Sequence, residues 1–425
     1  GLRGVSDDVY YYNPQKVPPV VNHGTPEFPD YAATRYYSSD FTEKRMVSYF
    51  GRLGYNYKQR YLLEFTFRRD GSSTFGEGNR WANFPSVAVG WSFSEEPFIK
   101  RLTGGWLNWG KIRGSYGKSG QTFTSAYLAH GLMNIMDKSF FGKTGITTDK
   151  PVSPYLTWEK TRQYDLGLDM DMFNYRLNVK LDYYYKYTSS LIYDIPIPGS
   201  LYAFGAQVEN AMEISNEGLE LELQADILRE SAVSWRMKFN MARNWNRFEK
   251  SYSGKDVVDG DGTLLVVGRP LNGLYVWAHR GYYNSDAEVP RLYKIDGQEI
   301  YFNGVATNGI SGAVGDYRLL DLDGDGNPDS YYAGSPLPLA HGGWVNELMW
   351  KNFDLNVLVN FTIGRKMINN RMGLGFSRQS EDGHLTKLFD YRKLRPWDGV
   401  NKKPNAPAWG NSLSMNTDSA IEKVH

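Results

Sequence analysis

The residues best suited to chemistry lie late in the chain, in the run Asp321, Leu322, Asp323, Gly324, Asp325, Gly326, Asn327, Pro328, Asp329. Side-chain oxygens at relative positions 1, 3 and 5, glycine at 6, a backbone carbonyl at 7 and Asp at 9 match the start of an EF-hand calcium loop. Closely spaced acidic oxygens replace the hydration shell of a hard cation, and the glycine permits the sharp turn. Position 12 should carry a bidentate glutamate but holds Tyr332, so the set needs a ligand from elsewhere. The expectation is a structural Ca2+ held by Asp321, Asp323, Asp325, Asn327 and Asp329, fixing a long loop. An acidic turn without metal is the competing account.

Aromatic side chains in polar, turn-rich stretches form the second group: Tyr10, Tyr11, Tyr36, Tyr37, Trp277, Tyr282, Tyr283 and Tyr331. Their faces suit stacking on sugar rings or contact with a partner protein, and packing of the loops themselves is the alternative for each. Catalytic chemistry is poorly supplied. The six histidines are scattered without HExxH spacing, and no G-x-S-x-G elbow occurs. Gly105–Lys111 (GWLNWGK) imitates the start of a phosphate loop, but Ile112 stands where Ser or Thr belongs and a strand pattern follows. The adjacent pairs Asp7–Asp8 and Glu95–Glu96 fall in turns, where solvation accounts for them. A glycosidase needs two carboxyls across a cleft, which spacing along a chain does not establish. The expectation is a protein that is not an enzyme and has no organic cofactor.

These residues must be positioned by strands. Lys and Arg number 48 against 47 Asp and Glu, a net charge of +1 that points to neither nucleic acid nor a polybasic membrane surface. The absence of cysteine excludes a disulfide scaffold and thiolate metal sites. No apolar run approaches the roughly 18 residues of a membrane helix, so any crossing falls to strands. In Tyr61–Phe67, Tyr61, Leu63, Phe65 and Phe67 alternate with Leu62, Glu64 and Thr66, the period of a strand with two unlike faces. A polar, glycine-rich loop follows to about Pro85, and then Val87, Val89, Trp91 and Phe93 alternate with small or polar residues. The same alternation recurs in Tyr164–Met172, Leu177–Lys186, Leu219–Asp226, Trp235–Met241, Trp344–Trp350 and Phe353–Phe361, and more weakly in Trp109–Lys118.

Connections after odd-numbered strands are short to medium, and those after even-numbered strands run from about 15 to 90 residues. Antiparallel strands of about ten residues with an apolar outer face, short turns at one end and long loops at the other describe an outer-membrane barrel. The fold class is therefore all-β, an antiparallel transmembrane β-barrel represented by about ten strands, in the outer membrane of a Gram-negative cell. Residues 1–44 read as an extracellular loop segment. Residues 45–363 hold the strands, with long extracellular loops notably at 119–160 and 250–340. Residues 364–425 read as an extracellular loop ahead of closing strands outside this sequence. The runner-up is a secreted, tyrosine-rich β-sandwich or propeller that binds glycans.

Arg68–Gly76 (RRDGSSTFG), Asn79–Phe98 (NRWANFPSVAVGWSFSEEPF) and Leu107–Gln121 (LNWGKIRGSYGKSGQ) resemble the SusC-type (SusC/RagA-like) TonB-dependent outer-membrane transporters. Further collinear matches are Leu156–Thr161 (LTWEKT), Asn216–Glu220 (NEGLE) and Lys351–Leu355 (KNFDL). The resemblance implies a 22-stranded barrel with an N-terminal plug. It also implies a TonB box, absent from this chain, and a SusD-like surface lipoprotein closing the extracellular mouth. It implies import of oligosaccharides or oligopeptides driven through TonB, and a D-x-N/D-G-D-G segment in the long loop. The partners so implied are the lipoprotein, TonB, outer-membrane lipid and the imported oligomer, with no nucleic acid.

Overall fold

The computed structural model describes residues 2–5, 41–122, 125–131, 133–140, 143–148, 151–202, 204–229, 231–258, 264–288, 291–293, 299–301, 303–304, 310–311, 314–315, 317–320, 322, 329–368, 397–400 and 421–424. One sheet dominates. Its ten strands are β1 (Met46–Tyr57), β2 (Tyr61–Ser72), β3 (Trp81–Trp91), β4 (Leu107–Gln121), β5 (Glu159–Met172), β6 (Leu177–Pro196), β7 (Ala206–Leu228), β8 (Val233–Lys250), β9 (Ala340–Trp350) and β10 (Phe353–Ile363). Each pairs antiparallel with its sequence neighbours, so the sheet is an uninterrupted meander in chain order. All ten strands read from the sequence are present, in the expected order. A single ten-stranded meander is not a sandwich or a propeller, and that runner-up fold is set aside.

Register explains why the pattern survives from strand to strand. Tyr57, Tyr61, Trp91, Ile112, Leu168, Leu181, Leu221, Met241, Gly342 and Phe361 are successive cross-strand partners along one line through the whole sheet. The adjacent line reads Asn56, Leu62, Gly90, Arg113, Gly167, Asp182, Glu220, Ala242, His341 and Thr362. Since alternate residues face opposite sides, one face is apolar across all ten strands and the other is polar. A slip of one residue anywhere would exchange the faces, so the two solvents fix the register.

Several boundaries differ from the sequence reading, for identifiable reasons. β6 and β7 run 20 and 23 residues, about twice what a tilted strand needs to cross a bilayer. They continue as a ribbon beyond the membrane, so the connection between them spans only 197–205. Strand β3 begins at Trp81, ahead of Pro85. Proline is tolerated there because Pro85 pairs with Phe67 on one side, while pairing to β4 starts only at Ser86. The turn after β3 holds a 3-10 segment at Phe93–Glu95 and a short helix, α1 (Pro97–Thr103). The excursion after β8 carries small two-stranded pieces, including Leu274–Trp277 with Ser330–Gly334 and His279–Tyr282 with Tyr317–Leu319.

The short turns have their own chemistry. Lys58 and Gln59 both have positive φ (54° and 56°), and the Arg60 N–H donates to the Tyr57 carbonyl at 3.0 Å. That backbone twist suits a tight hairpin.

Candidate functional site

The polar face of the sheet is built on β4, β5, β6 and β7. Arg113 lies across the strands, donating from Nε to Asp169 at 3.0 Å and from Nη2 to Asp182 at 2.7 Å. It passes over Gly167, where a Cβ would stand 2.5 Å from the guanidinium carbon. A side chain at that position would lift Arg113 off both carboxylates. Ser115 and Gln163 each donate to Asp165 at 2.8 Å, Lys180 pairs with Glu222 at 3.3 Å, and Lys238 pairs with Glu347 at 2.9 Å. Two open recesses lie along this face. One, of about 460 Å³, is lined by Glu64, Lys111, Arg113 and Asp165; the other, of about 250 Å³, by Lys180, Asp182, Glu222 and His341. The ion pairs among them are half-solvated, the chemistry of a wetted wall.

Above the spanning strands the hydrophobic residues turn inward. Trp158 is 2% exposed; it stacks on Phe75 at 4.9 Å and meets Phe84 edge-on at 5.6 Å. Its indole N–H donates to the Arg80 carbonyl at 3.2 Å. Asn210 clamps the neighbouring backbone: its Oδ1 accepts from Thr157 N–H at 2.7 Å, and its Nδ2 donates to the Thr157 and Ser190 carbonyls at 2.9 and 2.7 Å. A Cβ on Gly76 would lie 2.2 Å from the Pro154 carbonyl oxygen, so only glycine lets these two loops meet. Segments that are far apart in the chain, RDGSSTFG, NFP and LTW, thus converge on one core. A second core joins Met212, Phe248 and Leu265, with Leu191, Tyr193, Ile214 and Leu271 packed against it.

The aromatic candidates divide. Tyr10, Tyr11, Tyr36 and Tyr37 lie outside the described residues. Tyr283 is buried, Tyr282 stacks on Tyr317 at 5.1 Å, Trp277 is half-buried in its two-stranded piece, and Tyr331 is exposed. Beside them Tyr275 and Tyr332 meet at 5.7 Å under the Arg269 guanidinium, which sits 5.0 Å from the Tyr332 ring. The Tyr275 hydroxyl is enclosed without a hydrogen-bond partner among the described residues. Burial pushes its pKa up to about 12, against the pull of Arg269.

Of the expected calcium ligands, Asp321, Asp323, Asp325 and Asn327 lie outside the described residues. Asp329 is described: its Oδ2 accepts from the Leu322 N–H at 2.5 Å, and its N–H donates to the Leu320 carbonyl at 2.9 Å. Among the described residues no group of three or more acidic or histidine side chains is placed to hold a metal ion.

Glu96 corrects the sequence reading. The expectation was a solvated turn carboxylate, but the residue is 7% exposed. It accepts from Tyr61 Oη at 2.6 Å, from Trp91 Nε1 at 3.4 Å and from Arg60 Nη1 at 3.3 Å. The hydrogen bond from Tyr61 first, then that from Trp91 and the charge of Arg60, hold its carboxyl below the usual range. Tyr61 and Trp91 lie on the apolar face, so the chain leaving β3 wraps around the outside of the sheet. Nothing in a one-dimensional pattern signals that contact.

The chain matches the family model described as TonB dependent receptor-like, β-barrel, over residues 3–332. It is 32% identical over 392 residues to TonB-dependent receptor P26 of Formosa agariphila, covering 89% of this chain and 37% of that one. It is 30% identical over 376 residues to TonB-dependent receptor SusC of Bacteroides thetaiotaomicron, covering 85% of this chain and 35% of that one. Among solved structures it is similar to the RagAB peptide transporter, with a TM-score of 0.72 at 23% identity, over 92% of this chain and 41% of that chain. The chain therefore spans little more than a third of the length of these curated relatives.

Proposed function

This chain belongs to the β-barrel family of TonB-dependent receptors, of SusC/RagA type, and from that premise we propose that the whole protein imports nutrient oligomers across the outer membrane, driven through TonB. The observation that carries the reading is the division of one continuous sheet into a lipid-facing apolar side and a charged lumenal side. Arg113, Asp169, Asp182 and Lys180 line the water-filled passage, Arg113 held by the two aspartates and Lys180 by Glu222. They act by lining and positioning, with no bond chemistry. TonB engages the N-terminal region of the full receptor.

A SusD-like surface lipoprotein covers the extracellular mouth in this reading, meeting loops such as those carrying Trp277, Tyr282 and Tyr331. The cargo is an oligosaccharide or an oligopeptide. The relative named SusC and the neighbour named a peptide transporter support an oligomer importer. The test is purification of the full-length receptor from outer membranes in mild detergent, with uptake measured in cells with and without TonB. A stoichiometric surface lipoprotein and TonB-dependent uptake support the proposal. A receptor that elutes alone and uptake indifferent to TonB overturn it.

A structural Ca2+ in the 321–329 loop belongs to the same reading. Asp329 supports it, since its carboxylate accepts from the Leu322 N–H and so ties two positions of that motif together. A chelator is expected to speed protease cleavage between Val257 and Tyr332; cleavage unchanged by chelator counts against the ion.

A further inference from the structure

We propose that residues 92–106 form an amphipathic foot that seats the receptor on the periplasmic leaflet and prefers anionic phospholipid. The inference rests on the barrel orientation above, with the short turns at the periplasmic rim. The foot's placement follows from its bonds. Glu96 is gripped by Tyr61 and Trp91, both on the lipid-facing side. Phe93 covers Gly110 on that same side, where a Cβ would lie 2.4 Å from the ring. Ser92 N–H donates to the Arg60 carbonyl at 2.8 Å, tying the foot to the neighbouring hairpin.

From that anchorage α1 presents two faces. Ile99 is half-buried and Thr103, one turn on, is buried, which marks the inner side of α1. Phe98 and Leu102, also one turn apart, point away from it and are 59% and 81% exposed. Trp106 follows, packed on Phe173 at 6.1 Å, and both are exposed. At the same end of the sheet Ile112 is exposed on the apolar face, as are Tyr57 and Tyr61. Water is an unfavourable neighbour for these apolar side chains, and the boundary between headgroups and acyl chains is a favourable one.

Charge selects the kind of lipid. Lys100 and Arg101 are exposed on α1, and Lys58, Arg176 and Lys351 are exposed on the other short turns. Lys58 lies 5.2 Å from the Tyr57 ring and Lys351 lies 5.0 Å from the Trp350 ring. Cations perched on aromatic rings beside the short turns suit phosphate groups just above an acyl boundary. Of the two carboxylates in the foot, Glu96 is enclosed and Glu95 is paired with Lys100 at 2.7 Å.

The full-length receptor in nanodiscs tests this. An environment-sensitive dye is attached at Leu102→Cys and, as a control, at Val89→Cys on the lipid-facing side of β3; this chain has no cysteine of its own. Spin labels shallow on the acyl chains are expected to quench the dye at 102, and aqueous iodide is not. If 89 is quenched by lipid labels while 102 is open to iodide, or shielded from both quenchers by protein, the foot is wrong and the barrel stands. If 89 is also untouched by lipid labels, the barrel orientation itself fails. Replacing Arg101 by Glu is expected to lower retention of phosphatidylglycerol after delipidation by about fivefold, and replacing Lys100, which is paired with Glu95, by less. Unchanged retention overturns the anionic preference.

Discussion

The spanning part of the sheet and the region above it use the same residue types in opposite directions. In the spanning part Leu63 and Val89 point away from the protein, and 46% and 53% of their surface is exposed. In the upper region Phe75, Phe84, Trp158 and Phe248 are enclosed, as in any soluble domain. The difference teaches that apolar burial follows the solvent. Below, hydrocarbon already covers an outward leucine, so nothing is gained by turning it inward. Above, water surrounds the loops and the hydrophobic effect draws their aromatics together. The lumenal face is the converse, with its charges facing water and one another.

That contrast breaks most visibly at Trp158. Trp158→Ala is expected to lose about 3–5 kcal/mol of stability, because it empties a closed core. Limited proteolysis of the upper loops and denaturant unfolding in lipid vesicles would register the loss. Leu63→Ala is the matched control, expected to change stability little because lipid fills the space. An equal loss at both positions would erase the distinction between the two regions.

Charge gives the next effect. Val87→Arg, the seventh of the eleven residues of β3 and on the lipid side, is expected to cost about 2–4 kcal/mol. Ala88→Arg, its neighbour on the lumenal side, should be nearly neutral. Similar losses in vesicle unfolding at the two sites would mean that the faces are misassigned. Arg113→Ala should be milder, about 1 kcal/mol, since the guanidinium is partly solvated and its carboxylates can recruit lumenal water. Gly167→Ala should reproduce part of that loss by displacing Arg113.

The smallest effect is a matter of pH. Glu96 has a lowered pKa in the folded rim. Its contribution is therefore complete above the ordinary carboxylate value of about 4.3 and is lost as pH falls through the lowered folded value. Hydrogen-exchange protection at the Ser92 and Glu96 amides should fall on acidification, and Glu96→Gln should abolish that step. Tyr275 behaves oppositely. Its pKa is raised to about 12, so its neutral form supports the loop below about pH 10, and that support is lost as pH rises through the folded value. An ultraviolet titration comparing Tyr275→Phe with the parent should isolate one late-ionising phenol.

Much of this was legible in the residues. Alternation in Tyr61–Phe67 and Leu177–Tyr185 fixed strands, faces and order, because a two-residue period survives any tertiary context that keeps lipid on one side. Motifs such as K-x-R-x-S at Lys111, Arg113 and Ser115 were visible as text, but their work was not. Arg113 meets Asp169 and Asp182 only because β5 pairs with β4 across the long 122–158 connection and with β6 across a tight turn. The convergence of Phe75, Phe84 and Trp158 was invisible for the same reason, being a meeting of two loop segments with the start of β3 and no shared periodicity. The strand lengths of β6 and β7 were underestimated because their upper halves lie in water, where alternation relaxes.

By itself the sequence determined the all-β meander, its inside-out hydrophobic pattern and the family whose motifs it carries. These follow from residue type and spacing against two solvents. Only the tertiary structure decided which charge meets which, that Gly76 and Gly167 are sites of close approach, and that Glu96 is an enclosed anchor rather than a solvated turn residue. Those facts depend on distances between segments remote along the chain, and no local pattern encodes a distance that the packing of other residues sets.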